Sequence, residues 1–579
     1  MSREPMFFAV VTALVVSTSV ACSSTSNGGA GTGGPDATGG DAPGEDAHPD
    51  AAPDGASGAS DAGDAGIPTP LLVQLSVMES DGAAGLALVP PFAPMAYDYY
   101  VRCAAGTNNL TVTMTASDGA ESSLSQPTTS SAAASQTLQV SVTENQAIVA
   151  VAAQEGVTTE YWVRCLPHDF PQLQMNAHPD AGVPPAGYYL VGNLMANASA
   201  GYAMVVNGDG VPVWYYALPT GLGVVDVDDV SGAIFFVPYS ATEFEDFEIH
   251  QLSPVSSTTL APDGYETDTH ELRVLPNGDY LVLSYPFTHG IDLTGLSIAS
   301  TVDGGAPEEL GPNSTIQDCA VVEFEPSGTV VTTWLASDHF DPAQDSTLPL
   351  TGFAPDSTLP DGGTVYDVFH CNSIDVDPAN GNLLVSAREM DSIFYIEWST
   401  GKVLWKMGGA TASKDNAAYV SVADPFFRQH DARLQPGWSS ACNSGSGQIS
   451  VFDDESEKPG PARGVLYDVV VGGLDGGGAG CDGGMVSDGG APGQATVAWQ
   501  YEGTVSSSAT GSFRISPDGS HVIGWGLGGA PNLAFTEVDV NGNDLLDFSF
   551  PDGNATYRAI KVPSGAFDLS VLRSTAGTQ

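Results

Sequence analysis

The sequence predicts an all-β protein: a six-bladed β-propeller preceded by a small β-sandwich and a disordered acidic tether. Short apolar strands separated by Gly-containing turns recur through the C-terminal two-thirds of the chain. The segment before them alternates apolar and polar residues, as half-buried strands do. A convincing helical period is found nowhere in the sequence.

The N-terminus predicts an exported protein. Residues 1–22 contain Arg3 and an apolar stretch, Phe7–Val20, which is too short for a good transmembrane helix. The stretch ends at Ser19–Cys22, which resembles a bacterial lipobox, although Ser19 replaces the usual Leu. We therefore expect a signal peptide and lipidation of Cys22, which would hold the protein in the cell envelope, in the periplasm or at the outer membrane surface. Cleavage of an ordinary signal peptide near Ala21 is the alternative.

Composition and charge limit the partners. Residues 23–67 consist of Gly, Ala, Asp, Pro and Ser with almost no large apolar side chain, which predicts a flexible acidic tether. The whole chain of 579 residues has 16 Lys and Arg against 69 Asp and Glu, a formal net charge of -53. Such a charge argues against nucleic acid and against direct attraction to an anionic membrane, so only a lipid anchor is expected to hold it there. An anionic substrate would need a local positive pocket.

Residues 68–168 predict a small β-sandwich with one disulfide. Strand-like runs separated by turn residues include Leu110–Met114 and Leu138–Val142. The near-copies Tyr99–Cys103 and Tyr161–Cys165 make Cys103 and Cys165 the best disulfide pair of an exported chain. The segment resembles the cadherin-like β-sandwich of bacterial surface proteins, which implies a spacer or adhesion module without chemistry.

The other cysteines leave their pairing open. The remaining positions are Cys319, Cys371, Cys442 and Cys481. No CxxC motif or Cys/His spacing suggests a zinc site.

From residue 185 to residue 579, one pattern of four strands recurs six times, and a Gly turn follows its first strand. The predicted second strands are Tyr188–Val191, Ile234–Val237, Tyr280–Leu283, Leu383–Ser386, Ile449–Phe452 and His521–Gly524. The predicted fourth strands, often ending in Trp, include Val211–Trp214, Val330–Trp334, Val403–Trp405 and Val497–Trp499. Repeated four-stranded units of this kind are typical of propeller blades.

Three of the ten histidines share one position in this repeat. In four units the shared position lies six residues before the Pro that opens the first turn, and in the fourth unit it lies eight before. The pairs are His270 with Pro276, His370 with Pro378, His430 with Pro436, Gly511 with Pro517 and Tyr557 with Pro563. Because side chains alternate along a strand, an even offset keeps them on one face. We expect these residues at the start of the innermost strands, facing a central channel, with Tyr557 on a C-terminal strand that closes the ring.

The chemistry of this set favours an anion over a metal. Arg388 follows the second strand of the fourth unit, and in a chain with so few basic residues it is a candidate functional group; Arg428 is a weaker one. Three histidines could hold zinc, but an Arg beside them would oppose a cation. Imidazole is a competent nucleophile near neutral pH, and neighbouring donors can neutralise the oxygens of a tetrahedral group in transfer. We therefore expect no metal and no cofactor.

Several sequence strings resemble the bacterial arylsulfotransferase family over roughly residues 185–565. They are Thr269–Gly278, Phe369–Ile374, Val385–Arg388, Gly401–Gly409, Gln429–Ala432, Ile449–Asp454, Trp525–Gly526 and Tyr557–Ala559. The resemblance implies a six-bladed propeller of an exported compartment. It also implies an aryl sulfate sulfotransferase that moves a sulfuryl group from a phenolic sulfate donor to a phenol acceptor without a nucleotide sulfate.

The resemblance also implies roles for single residues. His430 would be the nucleophile that becomes transiently sulfated. His270, His370 and Arg388 would bind the sulfuryl oxygens and help protonate the departing phenolate. Asn372 would orient His370, and Tyr557 would line the acceptor pocket.

Two other functions compete with this one. A non-catalytic cell-surface propeller that binds glycans or proteins would need no such histidines, so His270, His370, Arg388 and His430 favour the enzyme. A quinone-cofactor dehydrogenase propeller lacks any recognisable cofactor-ligand motif in this sequence.

Overall fold

A computed structural model describes most of the chain after the predicted tether. The described residues are 69–80, 86–194, 200–239, 246–298, 306–347, 351–353, 363–440, 445–456, 458, 460–471, 493–528 and 532–578. The predicted signal peptide, the lipidation site Cys22 and the tether lie outside them, as do Cys442 and Cys481. No helix among the described ranges is long and apolar enough to cross a membrane.

The first described strands form two sheets that share one core. The strands are β1 (Leu72–Glu79), β2 (Asp98–Arg102), β3 (Thr107–Ala116), β4 (Glu121–Gln126), β5 (Ser135–Thr143), β6 (Ala147–Gln154) and β7 (Val157–Leu166). One sheet has the order β1-β3-β5 and the other β2-β7-β6-β4, with β2 parallel to β7. A disulfide joins Cys103 to Cys165, the pair inferred from the near-copies. Alternating side chains such as Leu110, Val112 and Met114 fill the core between the sheets.

Six four-stranded units follow along the chain. Unit 1 contains β39 (Ala559–Pro563), β9 (Gly187–Gly192), β10 (Ala200–Asn207) and β11 (Pro212–Thr220). Unit 2 contains β12 (Gly223–Val230), β13 (Ala233–Tyr239), β14 (Phe247–Leu252) and β15 (Val255–Leu260). Unit 3 contains β16 (Leu272–Val274), β17 (Tyr280–Ser284), β22 (Ala320–Phe324) and β23 (Val330–Leu335). Unit 4 contains β26 (Cys371–Val376), β27 (Leu383–Ala387), β28 (Ser392–Glu397) and β29 (Lys402–Met407). Unit 5 contains β31 (His430–Leu434), β32 (Ser446–Asp453), β33 (Arg463–Val470) and β34 (Gly493–Glu502). Unit 6 contains β35 (Ser512–Ile515), β36 (His521–Gly524), β37 (Leu533–Val538) and β38 (Asp544–Ser549).

The remaining elements extend or connect these units. They are β8 (Gln174–Ala177), β18 (Phe287–Ile291), β19 (Ser297–Ile298), β20 (Glu308–Glu309), β21 (Ser314–Gln317), β24 (Thr351–Phe353), β25 (Val365–Asp367), β30 (Ala418–Val422), α1 (Ala336–His339), α2 (Pro342–Asp345) and α3 (Leu569–Thr575). Strand β8 pairs with β38 at the edge of unit 6, and β30 lies parallel to both β29 and β34. Strands β18, β21, β24 and β25 form a separate four-stranded sheet.

The C-terminal strand completes the first unit. Strand β39 pairs antiparallel with β9, so residues from both ends of the repeat region share one sheet. The first strands of neighbouring units contact each other: β39 contacts both β12 and β35, while β26 contacts both β16 and β31. The predicted second and fourth strands fall on second and fourth strands of these sheets. The all-β class is confirmed, and the blade count of six stays a prediction because sheet pairing does not fix the arrangement around an axis.

Candidate active site

The structure brings the registered residues together. His370 immediately precedes the innermost strand of unit 4, and His430 is the first residue of that of unit 5. His270 and Tyr557 lie two residues before the innermost strands of units 3 and 1. The ring of His270 lies 5.1 Å from that of His370, 6.3 Å from that of His430 and 5.6 Å from that of Tyr557, centroid to centroid. The even offset from the turn prolines therefore predicted residues that lie together in space. We call His270, His370, His430 and Tyr557 the histidine cluster.

Each histidine of the cluster has a carboxylate on its Nδ1 atom. Nδ1 of His270 lies 2.5 Å from Asp268, and Nδ1 of His430 lies 2.7 Å from Asp454. Nδ1 of His370 makes a very short contact with Asp367. A carboxylate at Nδ1 fixes the orientation of the ring and leaves the Nε2 atom for a substrate.

The hydrogen bonds of His430 define its tautomer. Its Nδ1 atom contacts the carbonyl oxygen of Arg428 at 3.1 Å as well as Asp454. A carbonyl oxygen can only accept, so Nδ1 carries the proton and Nε2 carries a lone pair. Burial raises the pKa of Asp454 well above its usual value.

The pKa values of two histidines move in opposite directions. Burial, and then the positive charge of Arg388, holds the pKa of His430 well below its ordinary value, so its imidazole is neutral at neutral pH. Burial acts the same way on His370, but the carboxylate of Asp367 outweighs it and raises the pKa of His370. The cluster thus combines one imidazole whose neutral form is favoured with one whose protonated form is favoured, a pairing suited to a nucleophile and an acid.

Arg388 is held at the cluster by an ion pair rather than lying on the surface. It begins a single 3₁₀ turn, and its side chain is 17% exposed. Its Nη1 atom donates to Glu389, which also accepts from Arg428, and Nη2 donates to the carbonyl of Ser508 at 3.2 Å. Its buried Nε–H has no acceptor among the described residues, which leaves a donor for an anionic ligand.

Asn372 and Tyr557 lie at the cluster with different surroundings. Asn372 is buried and donates to the carbonyl of Gln429 at 2.7 Å, so its side chain fixes the segment before His430. The resemblance had assigned Asn372 to orienting His370; in the structure, Asp367 does so. The Tyr557 hydroxyl has no hydrogen-bond partner within the described ranges, and burial raises its pKa well above its usual value.

Sequence reasoning missed the groups that orient the cluster. Asp268, Asp367 and Asp454 carry this role, and they lie two before, three before and twenty-four after their histidines. Tyr285 was also missed: its ring lies 6.0 Å from His270 and 5.7 Å from His370. Its hydroxyl donates to the carbonyl of Cys371. Nearness in sequence points to Asp268 and Asp367 but not to Asp454, because the Asp nearest to His430 is Asp431.

One group of side chains has the spacing of a metal site. Ligand atoms of Asp367, His370 and Glu389 lie within 4.8 Å of one another. Both oxygens of Glu389 already accept from guanidinium groups, of Arg388 and Arg428. These cations oppose a metal ion at the same place.

Comparison with known families finds one match for this region. Residues 248–471, which contain all four predicted catalytic residues, match the family model described as arylsulfotransferase (ASST). No curated protein matches the chain.

Two solved structures illustrate a similarity at low sequence identity. A Quinonprotein alcohol dehydrogenase-like protein from Bacteroides thetaiotaomicron is 10% identical, with 83% of this chain and 99% of that chain covered and a TM-score of 0.29. An auxiliary nutrient binding protein from Bacteroides ovatus is 8% identical, with 81% of this chain and 98% of that chain covered and a TM-score of 0.21. Neither similarity is strong enough to bear on function.

Proposed function

We propose, from the match of residues 248–471 to the arylsulfotransferase family model, that this protein transfers a sulfuryl group between phenols through a sulfated His430. The donor is a phenolic sulfate ester, the acceptor is a second phenol, and no nucleotide sulfate takes part. One observation carries this proposal: both partners of His430 Nδ1 are acceptors, so the Nε2 lone pair is available to attack.

The first half-reaction forms the sulfated enzyme. The lone pair of His430 Nε2 attacks sulfur, an N–S bond forms, and the S–O bond to the aryl group breaks. The phenolate leaves with that electron pair and takes a proton from His370, whose raised pKa favours its protonated form. The Nδ1 proton stays between His430 and Asp454, which stabilises the ring while Nε2 holds the sulfuryl group.

The second half-reaction reverses the first. Neutral His370 accepts the proton of the acceptor phenol, and the phenolate oxygen attacks sulfur. The N–S bond breaks and its electron pair returns to Nε2 of His430, so a new aryl sulfate leaves and the starting protonation is restored. Two half-reactions that share one enzyme intermediate predict ping-pong kinetics.

Neighbouring donors neutralise the sulfuryl oxygens during transfer. The Nε–H of Arg388, and Nε2 of His270 when protonated, are the donors that support this role. The Tyr557 ring lies 6.3 Å from the His430 ring, centroid to centroid, and its hydroxyl has no hydrogen-bond partner in the described part of the chain, so it is suited to line the pocket of the aromatic ring.

The proposal is tested by turnover of the purified protein. An aryl sulfate and a phenol acceptor are mixed with the protein, and phenolate release is followed in the wild type, His430→Asn and His168→Asn. We expect His430→Asn to lose turnover by about three orders of magnitude or more, since a covalent nucleophile is removed. His168, which pairs with Glu144 in the sandwich, supplies the matched control and should leave turnover unchanged.

Two outcomes count against the enzyme. Turnover that survives His430→Asn contradicts the mechanism. Failure of the wild type with every aryl sulfate would favour the rival function, a cell-surface propeller that binds glycans or proteins.

We further propose that the protein is exported and anchored by a lipid on Cys22. The lipobox-like end of the apolar stretch supports it, and so do the disulfides Cys103–Cys165 and Cys319–Cys371, because such bonds persist in oxidising compartments. Metabolic labelling with a fatty acid should mark the wild type but not Cys22→Ser. Equal labelling of both would contradict the anchor.

A further inference from the structure

A cluster of six charged residues, five of them buried, lies directly beside the histidine cluster. Three of its members follow registered residues in the chain: Glu271 after His270, Asp431 after His430 and Arg558 after Tyr557. The full set, which we call the ion cluster, is Asp226, Glu271, Asp431, Arg433, Arg514 and Arg558. Three guanidinium groups therefore face three carboxylates, and the set is balanced in charge when all are ionised.

Arg558 connects the units through this cluster. Its guanidinium lies 2.8 Å from Asp226 of unit 2 and 3.1 Å from Glu271, which precedes unit 3. It also donates to the carbonyl of Asn372 in unit 4 at 2.9 Å. The same side chain lies 5.0 Å from the ring centroid of Tyr557, so it supports a member of the histidine cluster directly.

Asp431 is held more tightly than any other carboxylate of the ion cluster. Its oxygens accept from Arg433 at 2.7 Å, from Arg514 at 2.7 Å through each of two nitrogens, and from the backbone N–H of Phe513 at 3.1 Å. Its backbone has a φ of 56°, in the left-handed region that a residue with a Cβ atom seldom adopts. These hydrogen bonds offset the cost of that conformation, and the residue so fixed is the direct neighbour of His430.

We propose that the ion cluster is a positioning device for His430: it holds Asp431 in its left-handed conformation, so that the ring of His430 points at the substrate, and its charge balance sets how readily His430 takes a proton. Its residues touch neither substrate nor the sulfuryl group. They act on His430 in two ways: through the backbone conformation of Asp431 and through their electric field at the His430 imidazole. The proposal rests on the proposed role of His430 and extends it to groups that no motif identifies.

The charged groups around His430 make such tuning effective. Asp454 lies on its Nδ1 atom, Arg388, His270 and His370 surround the ring, and Tyr557 and Arg558 face it from the closing strand. Burial, with the cations Arg388 and Arg558 among the further causes, holds the pKa of His430 low. Because His430 and five of the six members of the ion cluster are buried, the removal of a charge from the ion cluster changes the field at His430 with less screening than at a surface site.

Arg514 offers a pair of variants that separate charge from geometry. Its side chain is 18% exposed, so it is the member whose replacement disturbs the core least. Arg514→Met removes one positive charge and leaves the carboxylates in excess, whereas Arg514→Lys keeps the charge and loses the two-nitrogen fork on Asp431.

The test measures the titration of His430 in the full-length protein by NMR of ¹³C-labelled histidine, with the signal assigned by His430→Asn. In Arg514→Met the surplus negative charge favours the imidazolium, so the titration of His430 should move to higher pH. In Arg514→Lys it should stay where it is in the wild type. Both variants should lower kcat, by up to about 100-fold with little change in KM, because the ring of His430 is held less firmly in the orientation needed for attack.

A third variant guards against misfolding. Asp431→Asn keeps a side chain that tolerates the left-handed conformation but removes a negative charge, so the titration of His430 should move to lower pH. Opposite shifts in Asp431→Asn and Arg514→Met cannot arise from general loosening of the fold. Equal shifts in all three variants, or no shift in any with wild-type kcat, would overturn the proposal.

The titration is independent of turnover. If the wild type transfers no sulfuryl group, the proposed function fails, while the NMR shifts still decide whether the ion cluster tunes His430.

Discussion

Three chemically identical side chains acquire different roles from their surroundings. His270, His370 and His430 all bind a carboxylate through Nδ1. His430 is 1% exposed and is surrounded by positive charge, whereas His370 is 27% exposed and lies beside Asp367. The pKa of the first is lowered and that of the second is raised. Environments that separate the pKa values of a pair in this way assign one as the base or nucleophile and the other as the acid.

The opposite shifts predict a bell-shaped dependence of kcat/KM on pH. His430 must be neutral to attack, and its lowered pKa moves the acid limb below the ordinary histidine value of about 6.5. His370 must hold a proton to give to the leaving phenolate, and its raised pKa moves the alkaline limb above that value. Initial rates with one aryl sulfate across the pH range measure both limbs.

A variant assigns the alkaline limb. In His370→Asn the residual activity should lose its alkaline limb while the acid limb stays in place. A profile with a single limb near 6.5 in the wild type would contradict the opposite shifts.

At the scale of the strands, the histidine cluster forms because its members lie at the starts of the innermost strands. The offset from the turn prolines predicted these positions, because period-two alternation and the first turn are both local properties of the sequence. The partner carboxylates could not be found that way. Asp367 ends β25, in a sheet outside the six units, and Asp454 follows β32 in unit 5. The number of residues between each Asp and its His therefore differs from unit to unit and follows no repeat.

The disulfide Cys319–Cys371 fixes the strand end that carries His370. Cys371 begins β26 directly after His370, whose φ of 49° lies in the left-handed region. The bond closes a loop with a sequence separation of 52, and its partner Cys319 directly precedes β22 of unit 3. The sequence left this pairing open among four cysteines, because contacts between units are not encoded in local spacing.

Replacement of this disulfide should affect both stability and catalysis. Cys319→Ser with Cys371→Ser should lower the free energy of unfolding by about 2–4 kcal/mol and also lower kcat, because the backbone at His370 is less constrained. Thermal unfolding and turnover measure the two effects.

The second disulfide is the control. Cys103→Ser with Cys165→Ser should destabilise the sandwich by a similar amount and leave kcat unchanged. An equal loss of kcat in both double variants would show that the bond near His370 has no special role.

At the scale of the whole molecule, the sandwich packs against unit 1 through the C-terminal helix. Arg573 in α3 makes two hydrogen bonds to Asp98 of β2, at 2.7 and 2.8 Å. Arg164 of β7 donates to the backbone carbonyl of Arg573, and Phe170 packs on Tyr202 with ring centroids 4.4 Å apart. The sequence predicted two separate modules, and the charged contact between them was not predictable because its partners lie far apart in the chain.

Arg573→Met should therefore weaken this contact without affecting catalysis. The loss of a partly buried hydrogen-bonded pair leaves Asp98 without its cation and should cost about 1–3 kcal/mol. We expect a lower Tm and faster proteolysis between the sandwich and unit 1, with wild-type kcat, since Arg573 bonds to no residue of the histidine cluster. A large loss of kcat would contradict this separation of structure from chemistry.

The all-β class and the histidine cluster could be predicted from sequence because both follow from a repeat. The ion cluster could not. Its members extend from Asp226 to Arg558, and each looks like an ordinary charged residue in a chain with 69 acids. They share a role only because the fold brings them into contact with one another.

The central claim is that His430 carries the sulfuryl group between donor and acceptor. The most direct test incubates the protein with an aryl sulfate in the absence of acceptor, and then identifies the modified residue by tandem mass spectrometry under alkaline conditions that preserve N–S bonds. We predict one added sulfuryl group per chain, located on His430 and lost when a phenol is added. A sulfuryl group on another residue, or multiple turnovers with no modified enzyme, would contradict the account.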